Sequence, residues 1–223
     1  MEDVWKHHFR YYDLFQNNSD RYVKTLKLNA KELEDFHKIL DGGAGTGNLT
    51  LELLKQGHEV VAVDLDDFSI ELLKEKCADF LDKLKILKMD VQELDFEDEF
   101  FDGVVSIFVL SFVENSEKYF SEVYRVLKPA GKLTISSWAP VEDSWIGIMD
   151  LLEEELKEKK LLPKYQKEWD YIEESSGENL KKVLQGPSLK ETEEMLRKVG
   201  FKNLQEFDEN PFGKYAYSLS CEK

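Results

Sequence analysis

Residues 39–47 read Ile-Leu-Asp-Gly-Gly-Ala-Gly-Thr-Gly, and this stretch decides the fold. An apolar run ends at Asp41, and glycines then recur at every second position as Gly43, Gly45 and Gly47. Because a helix-like segment follows, the order predicts a strand, a tight turn and a helix, the context in which a backbone approaches a nucleotide-like ligand. Glycine lacks the Cβ that would collide with such a ligand, and it permits positive φ.

The spacing of the glycines distinguishes between two cofactors. The dinucleotide pattern G-x-G-x-x-G, begun at Gly43, requires a third glycine at position 48, where this chain has Asn48. From Asp41 to Gly47 the chain instead carries D-x-G-x-G-x-G, which resembles motif I of the class I S-adenosylmethionine (SAM) methyltransferases. For this motif alone, a dinucleotide site and a plain connecting turn stay open as alternatives.

A second predicted strand, residues 59–64, ends in the carboxylate of Asp64. An acid at this position accepts hydrogen bonds from both hydroxyls of a ribose, so we expect Asp64 to bind an adenosine ligand. Asp66 or Asp67 is expected to cap the following helix, which the pattern places from position 68 to about position 84.

Three more strands complete the parallel pattern. Residues 85–90 predict a third strand that ends at Asp90, residues 101–108 a fourth and residues 132–138 a fifth. Alternating strand and helix signals of this kind indicate a parallel sheet with helices on both faces.

Residues 126–131, Val-Leu-Lys-Pro-Ala-Gly, resemble the L-K-P-G-G turn of the same methyltransferases, with Ala130 in place of the first glycine. Pro and Gly also end helices in general, but this turn stands directly before the fifth strand. Positions 37–138 together resemble a class I SAM-dependent methyltransferase, nearest to the small-molecule, ubiquinone-biosynthesis-type branch (methyltransferase types 11 and 25).

The resemblance implies an α/β fold with a Rossmann-like, seven-stranded, mostly parallel sheet, helices on both faces, an antiparallel last strand and a helical cap insertion. It implies SAM as the cofactor, no metal, and in-line transfer of a methyl group to O, N or C of a small-molecule acceptor. The residues expected to bind the cofactor are Tyr11, Tyr22, Asp41, Gly43, Gly45, Gly47, Asp64, Leu65, Asp90, Val91, Ser106 and Ile107.

We expect one domain, residues 1–223, in four parts. Residues 1–36 form an N-terminal helical lid, residues 37–138 the SAM-binding core, residues 139–186 the cap insertion and residues 187–223 a final helix and strand pair. The alternative for the insertion is a packing appendage, since aromatic clusters are more often core than site.

Two local patterns in the later segments predict helices. The insertion is expected to contain a helix over residues 145–160, with i,i+4 ion pairs Glu153–Lys157 and Glu155–Lys159 on its solvated face. A capping box at residues 188–191 predicts the start of the final helix.

No catalytic residue is assigned. His7 and His8 in the lid, and Glu114 just past the fourth strand, are candidate bases. A base is needed only if the nucleophile carries a proton that must leave early. The alternatives are a structural or solvated histidine and an exposed glutamate.

Composition excludes several partners. Thirty basic against 46 acidic residues give a formal net charge of −16, which repels nucleic-acid backbones and anionic lipid. No apolar run reaches 18 residues, and the N-terminus lacks a signal-peptide pattern, so no membrane association is expected. Cys77 and Cys221 alone give no disulfide framework, which predicts a cytoplasmic protein. Monomer and dimer both stay open.

Two further functions stay open beside the small-molecule methyltransferase: a protein or RNA methyltransferase, and a non-catalytic SAM-binding protein. No Asn-Pro-Pro-Tyr or Asp-Pro-Pro-Tyr tetrapeptide occurs, which disfavours methylation of adenine or glutamine amino groups. Neither cysteine follows a proline, which disfavours cytosine C5 methylation by a thiolate.

Overall fold

The computed structural model describes residues 13–14, 16–141, 144–175 and 186–223. Seven strands of these residues form one sheet in the order β3-β2-β1-β4-β5-β7-β6. In chain order, β1 to β7 are Lys38–Gly42, Glu59–Asp64, Leu84–Lys88, Phe101–Ile107, Leu127–Trp138, Lys202–Glu206 and Ala216–Glu222. Strands β1 to β5 run parallel, and β7 lies antiparallel between β5 and β6. The predicted fold class is confirmed.

Helices cover both faces of the sheet. In chain order, α1 to α7 are Asp20–Lys31, Asn48–Lys55, Asp67–Lys76, Ser116–Val126, Ser144–Glu158, Gln166–Ser175 and Leu189–Val199. Strands β1, β2 and β4 are buried along nearly their whole length because helices cover both of their faces. Among the described residues, no helix combines the length and apolarity that crossing a membrane requires.

The apolar core has three parts. One face of the sheet packs on α4 and α7 through Phe120, Val123 and Leu196. The other face packs on α1 and α2 through side chains such as Leu26 and Leu53. The third part lies at the carboxyl ends of β4 and β5, where α5 and α6 contribute Ile148, Leu152, Leu156 and Trp169.

Three predicted boundaries were wrong. Strand β3 ends at Lys88 instead of Asp90, because Lys88 is the last residue that pairs with β2. Helix α3 ends at Lys76 instead of near position 84, because the chain turns through a short 3-10 helix, Ala78–Phe80, before it enters β3. Strand β5 begins at Leu127, five residues early, because Leu127 already pairs with Phe101 before the ladder shifts register.

The capping box at the start of α7 is confirmed, with reciprocal bonds between Ser188 and Glu191. Of the two ion pairs predicted on α5, Glu153–Lys157 is present at 2.7 Å. The pair Glu155–Lys159 was wrong. Glu155 is buried against the start of α1, where its Oε1 lies 3.3 Å from Nε of Arg21, and Lys159 pairs instead with the Asp20 carboxylate at 2.6 Å.

A turn inside the first part of β5 places an ordinary residue in left-handed backbone. Ala130 is exposed and has φ of 61°, a conformation that costs an L-residue roughly 1–2 kcal/mol. We predict that Ala130→Gly raises the free energy of unfolding by about 0.5–1 kcal/mol, since relief of this strain exceeds the added flexibility of the unfolded chain. Denaturant unfolding measures it.

The matched control is Ala78→Gly, because Ala78 is also exposed but has negative φ. That variant should lose roughly 0.5–1 kcal/mol. Equal losses in the two variants would show that Ala130 is not strained.

Candidate cofactor and acceptor site

The strand order creates a crevice at the carboxyl edge of the sheet. The chain builds outward from β1 to β2 and β3, then returns to β4 on the other side of β1, and ligands bind at such a switch point. Below the crevice, Ser106 Oγ donates a 3.0 Å hydrogen bond to the Gly42 carbonyl and joins β4 to β1.

A cavity of about 330 Å³ occupies this crevice. It is lined by Gln16, Tyr22, Asp41, Gly43, Ala44, Gly45, Thr46, Asn48, Leu49, Asp64, Leu65, Asp66, Ser69, Met89, Asp90, Val91, Gln92, Ile107, Phe108, Val109, Phe112, Val113 and Trp138.

The glycine loop, residues 43–47, is joined to β2 by backbone hydrogen bonds. The Gly43 and Ala44 N–H groups both donate to the Val63 carbonyl at 2.9 Å. At Gly43, where φ is 75°, an added Cβ would overlap the Val109 side chain, so this glycine is required by the protein's own packing. At Gly45, by contrast, an added Cβ would meet no protein atom within 4 Å, so only this position leaves open space for a ligand.

Asp64 lies at the centre of the loop's hydrogen bonds. Its Oδ2 accepts from the Gly45 N–H at 2.7 Å and its Oδ1 from the Asp66 N–H at 2.9 Å. Burial raises the pKa of Asp64, and these backbone bonds oppose the rise. Asp66 is the N-cap of α3 and accepts from the Ser69 N–H at 2.6 Å, so the cap belongs to Asp66 rather than Asp67.

The end of β3 provides another polar wall. The Asp90 carboxylate accepts from the Gln92 backbone at 2.8 Å, and the Gln92 side chain in turn accepts from the Asn115 N–H at 2.8 Å. Val91 is buried beside them. These contacts hold Asp90 at the cavity while the loop after β4 closes over the same side.

Asp41 is a buried acid beneath the glycine loop. Burial raises its pKa from 3.8 to about 7, the 2.6 Å hydrogen bond from the Thr50 hydroxyl opposes the rise, and the Asp64 charge adds to it. Asp41, Asp64, Asp66 and Asp90 all line the cavity. SAM carries a sulfonium and an ammonium group, so this donor set of carboxylates and open glycine backbone fits it.

The other end of the cavity is aromatic. Phe108 and Trp138 stack with ring centroids 3.8 Å apart at 9°, and Phe212 meets both rings edge-on. Phe108 has φ of 59°, which is rare for a bulky residue, and its N–H is held by the Ser136 carbonyl at 2.7 Å. Strained backbone of this kind clusters at functional sites.

Most residues predicted to bind the cofactor line this one cavity. Two do not. Gly47 packs against Leu73 as the N-cap of α2, and Ser106 lies below the floor. Glu114 is exposed and lines a separate cleft beside α7. Three predicted residues lie outside the described residues, namely His7, His8 and Tyr11.

Sequence reasoning missed the aromatic end of the cavity. Phe108 directly follows β4 and Trp138 ends β5, so extending the strand-end argument from β1, β2 and β3 to the next two strands would have found both. No sequence signal pointed to Gln16 or Thr46.

Residues 40–135 match a protein family described as a methyltransferase domain. The chain is 25% identical over 205 residues to the ubiquinone/menaquinone biosynthesis C-methyltransferase of Vibrio campbellii, covering 88% of this chain and 76% of that protein. It is 34% identical over 106 residues to a sterol 4-C-methyltransferase of Caenorhabditis elegans, covering 47% of this chain and 32% of that protein.

Solved structures share the fold. A SAM-dependent methyltransferase of Thermotoga maritima, described as a possible histamine N-methyltransferase, superposes with a TM-score of 0.67 at 18% identity and full coverage of both chains. Phosphoethanolamine N-methyltransferase 2 of Haemonchus contortus, solved with S-adenosylhomocysteine, has a TM-score of 0.60 at 18% identity, covering 84% of this chain and 48% of that one.

Fold, cavity and matched domain together identify the chain as a class I methyltransferase. It is an enzyme whose cofactor is SAM.

The buried Asp41 predicts a pH dependence of stability. In the unfolded chain its carboxyl ionises near pH 3.8 and in the folded chain near pH 7, so its contribution is complete below pH 3.8 and is lost as pH rises through 7. Between pH 3.8 and pH 7, the free energy of unfolding of the parent should therefore fall by up to about 4 kcal/mol more than that of Asp41→Asn. Urea unfolding at several pH values measures the difference. The exposed control Asp82→Asn should show the same pH dependence of stability as the parent. If Asp41→Asn also shows the parent's pH dependence, burial does not raise the pKa of Asp41.

Substitutions of Asp64 and of Asp66 should differ in their effects on cofactor affinity. Asp64→Ala would remove the hydrogen bonds that we predict to the ribose, worth roughly 1.5–3 kcal/mol each, and would leave the Gly45 N–H without its acceptor, so SAM affinity should fall at least about tenfold. Asp66→Ala should cost mainly helix stability, about 1 kcal/mol. Isothermal titration and thermal unfolding give the two quantities. The ribose assignment fails if Asp66→Ala abolishes binding and Asp64→Ala does not.

Proposed function

We propose that this enzyme transfers the methyl group of SAM to O, N or C of a small acceptor bound at the carboxyl ends of β4 and β5. One observation carries the proposal. A single cavity runs from the acids Asp64 and Asp90 to the aromatic wall of Phe108 and Trp138. The first end suits the cofactor, and the second is an apolar surface with no assigned role in binding it.

The segments that we assign as lid and cap both reach the aromatic end. In the cap insertion, α5 and α6 pack against the wall through Leu152, Leu156 and Trp169. In the lid, Tyr22 of α1 lines the cavity and its ring lies 6.1 Å from that of Phe108. These contacts support a substrate pocket roofed by residues 1–36 and 139–186.

Methyl transfer requires mainly that the enzyme orient the methyl donor and the acceptor correctly. The nucleophile displaces a neutral thioether from the methyl carbon in line, so positive charge is dispersed. Holding the two reactants at near-attack distance contributes up to about 7–11 kcal/mol. The buried aromatic wall excludes water from the acceptor end. No general base is assigned, and the exposed Glu114 lies outside the described cavity lining.

A small acceptor is favoured over a macromolecule. The net charge of −16 opposes RNA, and the described cavity lining contains four carboxylates, Asp41, Asp64, Asp66 and Asp90, but no lysine, arginine or histidine. The uncharged thiols of Cys77 and Cys221 are buried and unpaired, which suits the cytoplasm that we propose as its location. The names of the relatives, a quinone-pathway and a sterol C-methyltransferase among them, also support a small acceptor.

The proposal is tested by incubating the enzyme with trideuteromethyl-SAM and fractionated metabolite extract, then searching by mass spectrometry for deuterated products. A labelled small molecule identifies acceptor and reaction. Label found only in protein or RNA would overturn the small-molecule assignment, and cofactor binding without any product would favour a non-catalytic SAM-binding protein.

With that acceptor in hand, two buried tryptophans of the same apolar cluster give a matched comparison. Trp138 lines the cavity and Trp169 does not. Trp138→Phe alters the wall that meets the acceptor, so kcat/KM should fall about tenfold while SAM affinity stays within about twofold. Trp169→Phe should leave kcat/KM nearly unchanged. Equal effects of the two substitutions would place the acceptor elsewhere.

A further inference from the structure

Asp13 makes contacts that connect distant parts of the chain. Its Oδ1 accepts hydrogen bonds from three side chains, the Thr46 hydroxyl, the Asn48 amide at 3.2 Å and the Lys76 ammonium at 2.8 Å. Lys76 also donates to Asn48 Oδ1 at 2.5 Å and to the Thr46 hydroxyl at 3.3 Å. The four side chains therefore form one charge-assisted network.

This network lies at the rim of the cofactor cavity. Thr46 and Asn48 belong to the glycine loop and its helix, and both line the cavity. Gln16, three residues after Asp13, lines it as well. Lys76 comes from the last turn of α3. The network thus joins the N-terminal segment to the loop that surrounds the cofactor.

The Asp13–Lys76 pair is more protected than the other ion pairs of α3. The side chains of Asp13 and Lys76 are 18% and 20% exposed, whereas those of Asp67 and Lys88, which pair at 2.7 Å, are 76% and 54% exposed. Exposed pairs contribute little to stability because solvent screens them. Hydrogen bonds to partly buried charges are stronger.

The chain that follows Asp13 is tethered at a second point. The Arg21 guanidinium lies beside the buried Glu155 carboxylate of α5, and it also donates to the Pro211 carbonyl at 3.0 Å. Loss of the Asp13 contacts would therefore release the segment before α1 while α1 itself stays in place. A variant at Asp13 should consequently keep its fold.

We propose that Asp13 is a positioning residue for the cofactor: its contacts with Lys76, Thr46 and Asn48 hold the described residues 13–14 and 16–19 against the glycine loop and slow cofactor release. The inference rests on the proposed placement of SAM in this cavity. Asp13 acts through the loop and touches neither the methyl group nor the acceptor.

The test measures S-adenosylhomocysteine dissociation by stopped-flow tryptophan fluorescence, since Trp138 lines the same cavity. Asp13→Asn and Lys76→Met should each raise the dissociation rate about tenfold, the effect expected for loss of charge-assisted hydrogen bonds. The association rate and the melting temperature should change little. A purely structural role would lower the melting temperature instead.

Two further variants make the test specific. The double variant Asp13→Asn/Lys76→Met should release the ligand no faster than either single variant, within about twofold, because the partners act as a unit. The control Asp67→Asn breaks the exposed pair on the same helix and should leave the rate unchanged.

The outcomes separate this inference from the proposed function. If the parent binds S-adenosylhomocysteine but the Asp13 and Lys76 variants release it at the parent rate, Asp13 does not position the cofactor and the methyltransferase assignment stands. If the parent binds neither SAM nor S-adenosylhomocysteine, the proposed function falls as well.

Discussion

The hydrogen bond from the Gly45 N–H to the Asp64 carboxylate is the interaction on which the site depends. It fixes the tip of the loop after β1 to the end of β2, where the Val63 carbonyl already holds the two preceding N–H groups. The same carboxylate also accepts a hydrogen bond from the N–H of Asp66, the N-cap of α3. The loop, the strand and the helix are therefore all fixed by Asp64. The ligand-facing backbone is thereby arranged before any ligand arrives, which lowers the entropic cost of binding.

The two ends of the cavity differ in their physical character. Four carboxylates surround the cofactor end, and burial raises the pKa of Asp41 to about 7, so part of the Asp41 population is protonated near pH 7 and repulsion among the four is reduced. The other end is a stack of rings with strained backbone at Phe108. In the function that we propose, the cationic methyl donor lies at the acidic end of this cavity, and its charge is dispersed as the methyl group passes to an acceptor at the apolar end.

Sequence could predict most of the cofactor side. The glycine spacing marks the loop after β1, Asp64 ends β2 and Asp90 follows β3 by two residues. The carboxyl ends of parallel strands meet at one edge of the sheet by geometry alone. The reason for Gly43 could not be predicted, because Val109, which requires it, is 66 positions away and approaches only in the folded sheet. The predicted Glu155–Lys159 ion pair was wrong for a similar reason. An i,i+4 spacing describes an isolated helix, and the tertiary partner Arg21 outcompeted Lys159.

The antiparallel direction of β7 has a practical consequence. Ala216 pairs with Trp138 beside the cavity, and Glu222 pairs with Lys132 at the opposite edge of the sheet. A polypeptide joined after Lys223 therefore emerges on the far side of the molecule from the pocket. Immobilising the enzyme through that end on a sensor chip or resin would leave the pocket facing solution. Attachment on the N-terminal side would instead place mechanical force on Asp13, which contacts the glycine loop.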